Sequence, residues 1–390
     1  MNKNVISQYI KENQISSPCY IFDIEQLLNR VSHIKGILGN KASLCYAIKA
    51  NTFLVPYMDK VIEKYEVCSV GELEICHEKN INMNKVVFSG INKSDEEIGK
   101  ALAYGVSVIT IESENQFYST TRQARAIGRC VNVLLRISNG AQFGMEETII
   151  KEIVRTRDNY PYIHISGIQY FTGTQKKQND KIIKEIEYIN DFCNVLYEEY
   201  HFDVEEIEFG PGLYVPYFVG EQEDRLESLQ GIINKFEELP IKRKIILELG
   251  RYLVANCGRY VTKVVDTKKN RDTKFCIVDG GKNHINYYGQ NMAMRIPNIT
   301  HIKSEKSNNA DSEKWIICGS LCTFADVLVR GYLTDGLECG DYLVFDKVGA
   351  YSVTEGLSLF LSRELPSIYI YNNDTVNLIR DKITTYQINM

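Results

Sequence analysis

With 390 residues, 44% of them apolar and 24% charged, the chain has the composition of a globular protein too long for one ordinary core, which points to two domains. Its net charge of −5 argues against nucleic acid or an anionic membrane as partner. Eleven cysteines in no regular framework read as reduced thiols, no Cys/His cluster has zinc spacing, and neither a signal peptide nor a membrane span is legible; a cytoplasmic protein without a metal is expected.

In chain order, Cys19–Phe22 reads as an isolated strand. Eight β-rich runs follow: Ser43–Lys49, Glu66–Val70, Lys85–Ser89, Val106–Glu112, Asn132–Ile137, Tyr162–Phe171, Glu205–Phe209 and Lys244–Leu249. Amphipathic stretches separate them, among them Val55–Lys64, Glu72–Lys79, Ser94–Ala103 and Lys181–Glu199. This alternation predicts a (β/α)₈ barrel, with an open doubly wound sheet as competitor because periodicity cannot show closure. After Arg251 the rhythm changes: Tyr260–Asp266, Lys274–Asp279, Trp315–Cys318, Asp341–Asp346 and Thr375–Ile379 read as strands of a separate β domain. The polar segment Ser304–Glu313 reads as a surface loop. The predicted division is 1–22 as a strand joining the β domain, 23–254 as the barrel and 255–390 as the β domain.

In a barrel, chemistry collects where strands end. Lys49 ends the first run, Leu44-Cys45-Tyr46-Ala47-Ile48-Lys49. A desolvated lysine there suits a Schiff base with an aldehyde, while a lysine reaching water along its stem is an equal reading. Ser69 and Glu72 read as a helix N-cap pair. Arg136 ends the fifth strand, and Tyr170-Phe171-Thr172-Gly173-Thr174 the sixth. Gly210-Pro211-Gly212 ends the seventh, a turn that either cradles a phosphate or is only a turn. Glu248-Leu249-Gly250-Arg251 ends the eighth. A buried ion pair competes there with a carboxylate for a ring nitrogen and a guanidinium for a phosphate. Lysine, glycine turn, arginine and glutamate together describe one ligand, pyridoxal 5'-phosphate.

These blocks resemble the fold-type III pyridoxal-phosphate enzymes, the ornithine, diaminopimelate and arginine decarboxylase group, over nearly the whole chain. Tyr46-Ala47-Ile48-Lys49-Ala50-Asn51 is similar to the cofactor-lysine motif and Ser69-Val70-Gly71-Glu72-Leu73 to the second block. Gly210-Pro211-Gly212 is similar to the phosphate turn, and Glu248-Leu249-Gly250-Arg251 to the Glu-Pro-Gly-Arg motif. Gly319-Ser320-Leu321-Cys322-Thr323-Phe324-Ala325-Asp326 resembles the loop that brings a partner subunit's cysteine to the site, and Gly349-Ala350-Tyr351 the segment whose tyrosine touches the phosphate. The resemblance implies an alanine-racemase-like barrel with a C-terminal β-barrel or β-sandwich, and a homodimer with shared sites. It implies Lys49, Cys322 and Glu248 as catalytic residues. It implies Arg136, Phe171, Thr174, Gly210, Gly212, Glu248, Arg251 and Tyr351 around the cofactor, and Thr323, Asp326 and His284 around the substrate.

Three departures stand out. Phe171 replaces the histidine that the family stacks on the ring, and Thr323 replaces the glutamate that diaminopimelate decarboxylases place after the loop cysteine. No arginine follows Asp279-Gly280-Gly281 until Arg295. These departures look like the secondary-metabolism branch, which includes decarboxylases of carrier-protein-linked glutamate and of siderophore precursors. A decarboxylase of an amino acid or amino-acid derivative is therefore expected. Diaminopimelate decarboxylase of lysine biosynthesis and a fold-type III racemase are the alternatives, although racemases set an arginine against the ring nitrogen where this chain has Glu248. A cofactor carrier without catalysis would lack the β domain, and an inactive homologue would lose Lys49 or Cys322. Cys68, His77 and His164 read as structural.

Overall fold

The computed structural model of the protein describes residues 3–222, 226–239, 243–304 and 312–390; most of the segment expected as a loop at Ser304–Glu313 lies outside them. The chain divides into two compact units. One comprises Met1–Arg30, Pro216–Glu223 and Leu253–Met390, the other Val31–Val215 and Asp224–Tyr252.

Strand β1 (Cys19–Asp23) belongs to the first unit. The next eight are β2 (Ala42–Ala47), β3 (Lys64–Val67), β4 (Val86–Phe88), β5 (Val108–Ile111), β6 (Val131–Arg136), β7 (Ile163–Phe171), β8 (Glu206–Gly210) and β9 (Lys244–Leu249). They form a closed parallel barrel. Closure is made by β2 against β9, with Cys45 opposite Glu248, and this pairing removes the open-sheet alternative. Most of these strands read apolar along their length because both faces are covered, as parallel strands require; β3 and β8 instead alternate charged and apolar residues. The helices between them start at residues chosen for it. Ser69 accepts from the Glu72 amide while the Glu72 carboxylate accepts from the Cys68 amide at 2.7 Å, and Ser94 and Glu97 form a reciprocal capping box. Gly105 and Gly128 then end two helices in the left-handed conformation.

One expected helix is mostly absent. Of Val55–Lys64 only Val55–Met58 is α-helical, because the chain must already be extended at Lys64 to pair with Cys45. Lys64 can begin a buried strand because Glu206 on β8 takes its ammonium at 3.0 Å.

The β unit holds β10 (Gly258–Asn270), β11 (Thr273–Val278), β12 (Ile299–Ile302), β13 (Glu313–Cys318), β14 (Val327–Thr334), β15 (Tyr342–Asp346), β16 (Ser367–Asn372) and β17 (Thr375–Arg380). With β1 they make a nine-stranded mixed sheet. β1 lies inside it, antiparallel to β10 and parallel to β16. Tyr20, Tyr260 and Phe345 are fully buried there, with the two tyrosine rings 5.3 Å apart. No helix among the described residues is long and apolar enough to cross a membrane.

Gly167, inside β7, has no room for a side chain. A Cβ on Gly167 of β7 would stand 1.9 Å from the Glu206 carbonyl oxygen of the paired strand. Since the obstacle is backbone, Gly167→Ala should destabilise the barrel by about 1–3 kcal/mol. That corresponds to a melting temperature lower by several degrees, at ~2–4 °C per kcal/mol for a unit of this size. Thermal unfolding followed by circular dichroism measures it.

Candidate active site

Lys49 does not lie in a strand. β2 ends at Ala47, and Ile48–Ala50 form a single 3₁₀ turn. The turn is rigidly held: Ile48 and Ala50 are buried, Tyr46 Oη donates to the Asn51 carbonyl at 2.7 Å, and the Asn51 side chain accepts from the Phe53 amide. The Lys49 side chain keeps 38% exposure, so it is a paired and half-open lysine rather than a desolvated one. Its Nζ lies 2.9 Å from Glu66 Oε2, 3.4 Å from Cys68 Sγ and 3.9 Å from Glu248 Oε1.

Three carboxyl groups of the barrel interior differ in environment and therefore in charge. Glu66, on β3, is buried, which opposes ionisation; the Lys49 charge, hydrogen bonds from Lys49 and Cys68, and Arg136 outweigh this and hold it below its ordinary value. Glu248, on β9, is also buried and is repelled by Glu66. Lys49, Arg136 and a 3.0 Å bond from Gln169 Nε2 oppose this only in part, and its pKa is pushed up to about 7. Glu208, on β8, is fully buried, no polar atom among the described residues reaches either of its oxygens, and burial with repulsion from Glu248 raises it well above the usual carboxyl range. Burial and Glu66 likewise keep the Cys68 thiol neutral; it donates to Glu66 Oε1 at 3.1 Å.

The remaining positions of the barrel unit fall into two groups. Arg136 pairs with Glu112 at 3.0 Å and lies over the Phe143 ring. Beside it the buried Lys93 donates to the Gly90 carbonyl, and burial lowers its pKa to about 8 against the pull of Glu112. Phe171, Thr174, Gly210 and Gly212 are at the ends of β7 and β8, which interlock. Phe171 lies so close to Gly210 that a Cβ there would meet its ring at 2.5 Å, and one on Gly212 (φ +63°) would meet the Gly173 carbonyl at 1.9 Å. Lys176 N–H donates to the Gly212 carbonyl at 2.9 Å, and the Gln175 amide bonds Val215 in both directions. Arg251 is buried at the first position of the short helix Arg251–Val254.

Five predicted residues belong to the β unit. Cys322 and Thr323 are exposed on the turn between β13 and β14, beside a fully exposed Phe324. Asp326 is buried beneath that turn and takes the amides of Lys282 and Leu321 at 2.8 and 2.7 Å. Gly281 and Gly319 have no room for a Cβ against its carboxylate. His284 is buried too, with Nδ1 2.9 Å from Tyr260 Oη and Nε2 2.9 Å from Asn283 Nδ2; burial lowers its pKa to about 4. Tyr351 adopts a left-handed backbone at φ +67°.

Sequence reasoning missed Glu66, Gln169, Glu208 and Lys93, and treated Cys68 as structural although it touches Lys49. The signal was present: Lys64, Glu66 and Cys68 alternate along β3, as do Glu206 and Glu208 along β8, and period two aims each set to one side. His77 stacks on Tyr104 and His164 pairs with Glu205.

Residues 24–255 match the model of the pyridoxal-dependent decarboxylases, pyridoxal binding domain. The chain belongs to this family. It is 26% identical over 397 residues to the L-glutamyl-(BtrI acyl-carrier protein) decarboxylase of Niallia circulans, covering 95% of this chain and 92% of that protein. It is 26% identical to the diaminopimelate decarboxylase of Methanocaldococcus jannaschii, covering 95% and 90%. To the 2-[(L-alanin-3-ylcarbamoyl)methyl]-2-hydroxybutanedioate decarboxylase of Staphylococcus aureus it is 25% identical, covering 91% and 94%. Among solved structures, the Methanocaldococcus jannaschii diaminopimelate decarboxylase superposes with a TM-score of 0.85 at 26% identity, covering 96% of this chain and 92% of that one. The protein is thus a pyridoxal-phosphate-dependent decarboxylase with a barrel and a separate mixed-sheet unit.

The position of Glu248 has a measurable consequence in the cofactor-free protein. Its folded pKa of about 7 lies above its ordinary 4.5, so the fold binds that proton more tightly than the unfolded chain does. Its contribution is complete below pH ~4.5 and is lost as pH rises through ~7. Glu248→Gln should flatten the decline of unfolding free energy across that window, by on the order of 3 kcal/mol at 1.36 kcal/mol per pKa unit. Urea denaturation at a series of pH values measures it.

Proposed function

We propose that the protein removes the carboxyl group of an amino acid, or of an amino-acid-derived or carrier-protein-linked substrate, in a biosynthetic or secondary-metabolite pathway. In this reading Lys49 holds pyridoxal phosphate covalently. The observation that carries it is the Lys49 amine within 3.9 Å of two buried carboxyl groups, Glu66 and Glu248. The residues present fit the group: an amine for the aldehyde, a carboxylate for the ring nitrogen, and a tight glycine turn with an arginine for the phosphate. When bound, pyridoxal phosphate supplies the electron sink for the bond that breaks as carbon dioxide leaves.

The chain's own residues have separate tasks. Glu66 and Cys68 fix the Lys49 side chain and hold its proton. Glu248 accepts the hydrogen bond of the ring nitrogen, and Gln169 and Arg136 favour its ionised form. Phe171 covers one ring face. Thr174, the Gly210 and Gly212 turn, Arg251 and Tyr351 would bind the phosphate. Cys322, supplied by the second subunit of a homodimer, returns a proton to the reacting carbon, and Thr323 faces the substrate's far end. Asp326 and His284 act at one remove: with their polar atoms taken up inside the β unit, they hold the Cys322 turn and the Gly280–His284 segment in shape. Residues 1–22 and 255–390 act as one domain, with 23–254 as the cofactor domain.

The substrate's far end is neutral, amidated, thioester-linked or directed to solvent. Thr323 offers a hydroxyl in place of a carboxylate, and a distal charge without a partner costs a few kcal/mol in a closed site.

Borohydride reduction followed by peptide mapping should place the cofactor on Lys49; label on another lysine overturns the assignment. Glu248→Gln should lower turnover about 10²–10³-fold, the loss of ~3–4 kcal/mol of transition-state stabilisation. Mixed Lys49→Ala and Cys322→Ala chains should regain activity through hybrid dimers. With free diaminopimelate, ornithine, lysine, arginine and carrier-linked glutamate compared, diaminopimelate should trail the best substrate by about 10²–10⁴-fold in kcat/KM. A value for it of ~10⁴ M⁻¹s⁻¹ or more would make lysine biosynthesis the function.

A further inference from the structure

The buried carboxyl group of Glu208 has no task in the scheme above. It lies in the middle of β8, opposite Gln169 on β7. Both of its oxygens are sealed from solvent and without a polar partner among the described residues. A carboxylate in that position would be an acceptor with nothing to accept, which is the most costly way to bury the group. The charged and titratable groups facing it are Lys64 and Glu66 from β3, Glu206 from its own strand, Glu248 from β9 and the Cys45 thiol from β2. Only Lys64 could compensate a negative charge fully, and Lys64 already spends its ammonium on both oxygens of Glu206, at 3.0 and 3.1 Å.

A neutral carboxylic acid has the opposite need. It carries one O–H donor and requires an acceptor. The register neighbour supplies one: Gln169 Oε1 is likewise buried without a partner, while Gln169 Nε2 donates to Glu248 Oε2 at 3.0 Å. One Glu208 oxygen and Gln169 Oε1, two of the three unmet acceptor atoms on these register-paired side chains, become one hydrogen bond once a single proton is placed on Glu208. That bond also decides an ambiguity. The Gln169 amide can turn its N–H or its carbonyl oxygen towards Glu248, and an O–H on the far side selects the arrangement that gives Glu248 a donor.

We infer that Glu208 is a protonated, uncharged acid in the working enzyme and a positioning residue, whose O–H locks the Gln169 amide so that Glu248 meets a donor. The inference deepens the reading in which Glu248 serves the ring nitrogen, and rests on it for its effect on turnover. Its structural half stands alone. With the lock in place Glu248 keeps its ionised form down to lower pH; without it the amide can present oxygen to oxygen, and Glu248 must hold a proton to avoid the repulsion.

The test uses three substitutions and two readouts. Glu208→Gln keeps a donor of nearly the same shape, Glu208→Leu removes it, and Glu248→Gln removes the neighbouring titration. In the cofactor-free protein at neutral pH, infrared spectroscopy should reveal the carbonyl stretch of a protonated carboxylic acid in the wild type and in Glu248→Gln. It should be missing when Glu208→Gln is combined with Glu248→Gln, a background in which the titrating Glu248 carboxyl no longer adds a band of its own. In the holoenzyme, Glu208→Gln should retain turnover within a few-fold. Glu208→Leu should lose roughly 10- to 100-fold, the size of one buried hydrogen bond to a charged group, in kcat rather than KM, with the acidic limb of the pH profile moved to higher pH. Absence of the infrared band at neutral pH overturns the inference whatever the kinetics. Equal impairment of the Gln and Leu variants with an unmoved acidic limb overturns the positioning role. If Glu248→Gln itself leaves turnover unchanged while the band is present, the reading of Glu248 fails and the state of Glu208 survives.

Discussion

Everything in the barrel unit depends on one pairing, that of its first strand with its last. β2 and β9 are remote in the chain, and their hydrogen-bonded ladder sets Cys45 beside Glu248. Closure then fixes where each strand end points, and Lys49 and Glu248 meet because their strands are neighbours on the ring. It also fixes what the interior is made of. A closed barrel has no edges to satisfy, so side chains alone fill its middle. Here a cluster of Val87, Val108 and Leu134 fills part of it, while Lys64, Glu66, Glu206, Glu208 and Glu248 are buried elsewhere within the unit.

Three glutamates within one barrel illustrate how partner count sets charge. Glu66 has an ammonium and a thiol against it and is held below its ordinary value; Glu248 has one amide and a more distant ammonium and is pushed up to about 7; Glu208 has no hydrogen-bond partner among the described residues, and burial with repulsion from Glu248 favours its protonated form. Residue type is constant across the series, so the environment alone separates a permanent anion from a titrating group and from an acid. In the proposed function, the same division would let one carboxylate hold the lysine while another serves a ring nitrogen.

The sequence made the barrel legible because parallel strands covered on both faces are apolar runs, and a single lysine, arginine or glutamate at the end of such a run is conspicuous. Lys49, Arg136 and Glu248 were readable for that reason. Glu66 and Glu208 were not, because a polar residue inside a short strand marks a site only when one knows which face is enclosed. The closed ring, not the local pattern, makes both faces of β3 and β8 interior or covered. Lys49 also lies in a turn past its strand, a boundary that β-propensity across Ile48 hides. In the β unit, Ile299–Ile302, Val327–Thr334 and Ser367–Asn372 escaped notice: one is four residues long, one is broken by Gly331, and one follows a proline-containing turn.

A barrel filled with ionisable groups is an unfinished core. The Lys49–Glu66–Glu248 constellation sets two buried carboxyl groups against one half-exposed amine, and a ligand that engages both the amine and the second carboxyl group gives each a further partner. By mass action, whatever binds the native chain and not the unfolded one adds RT ln(1 + [L]/Kd) to its stability. A ligand held by both Lys49 and Glu248 therefore acts on the folding equilibrium of the chain as well as on its chemistry.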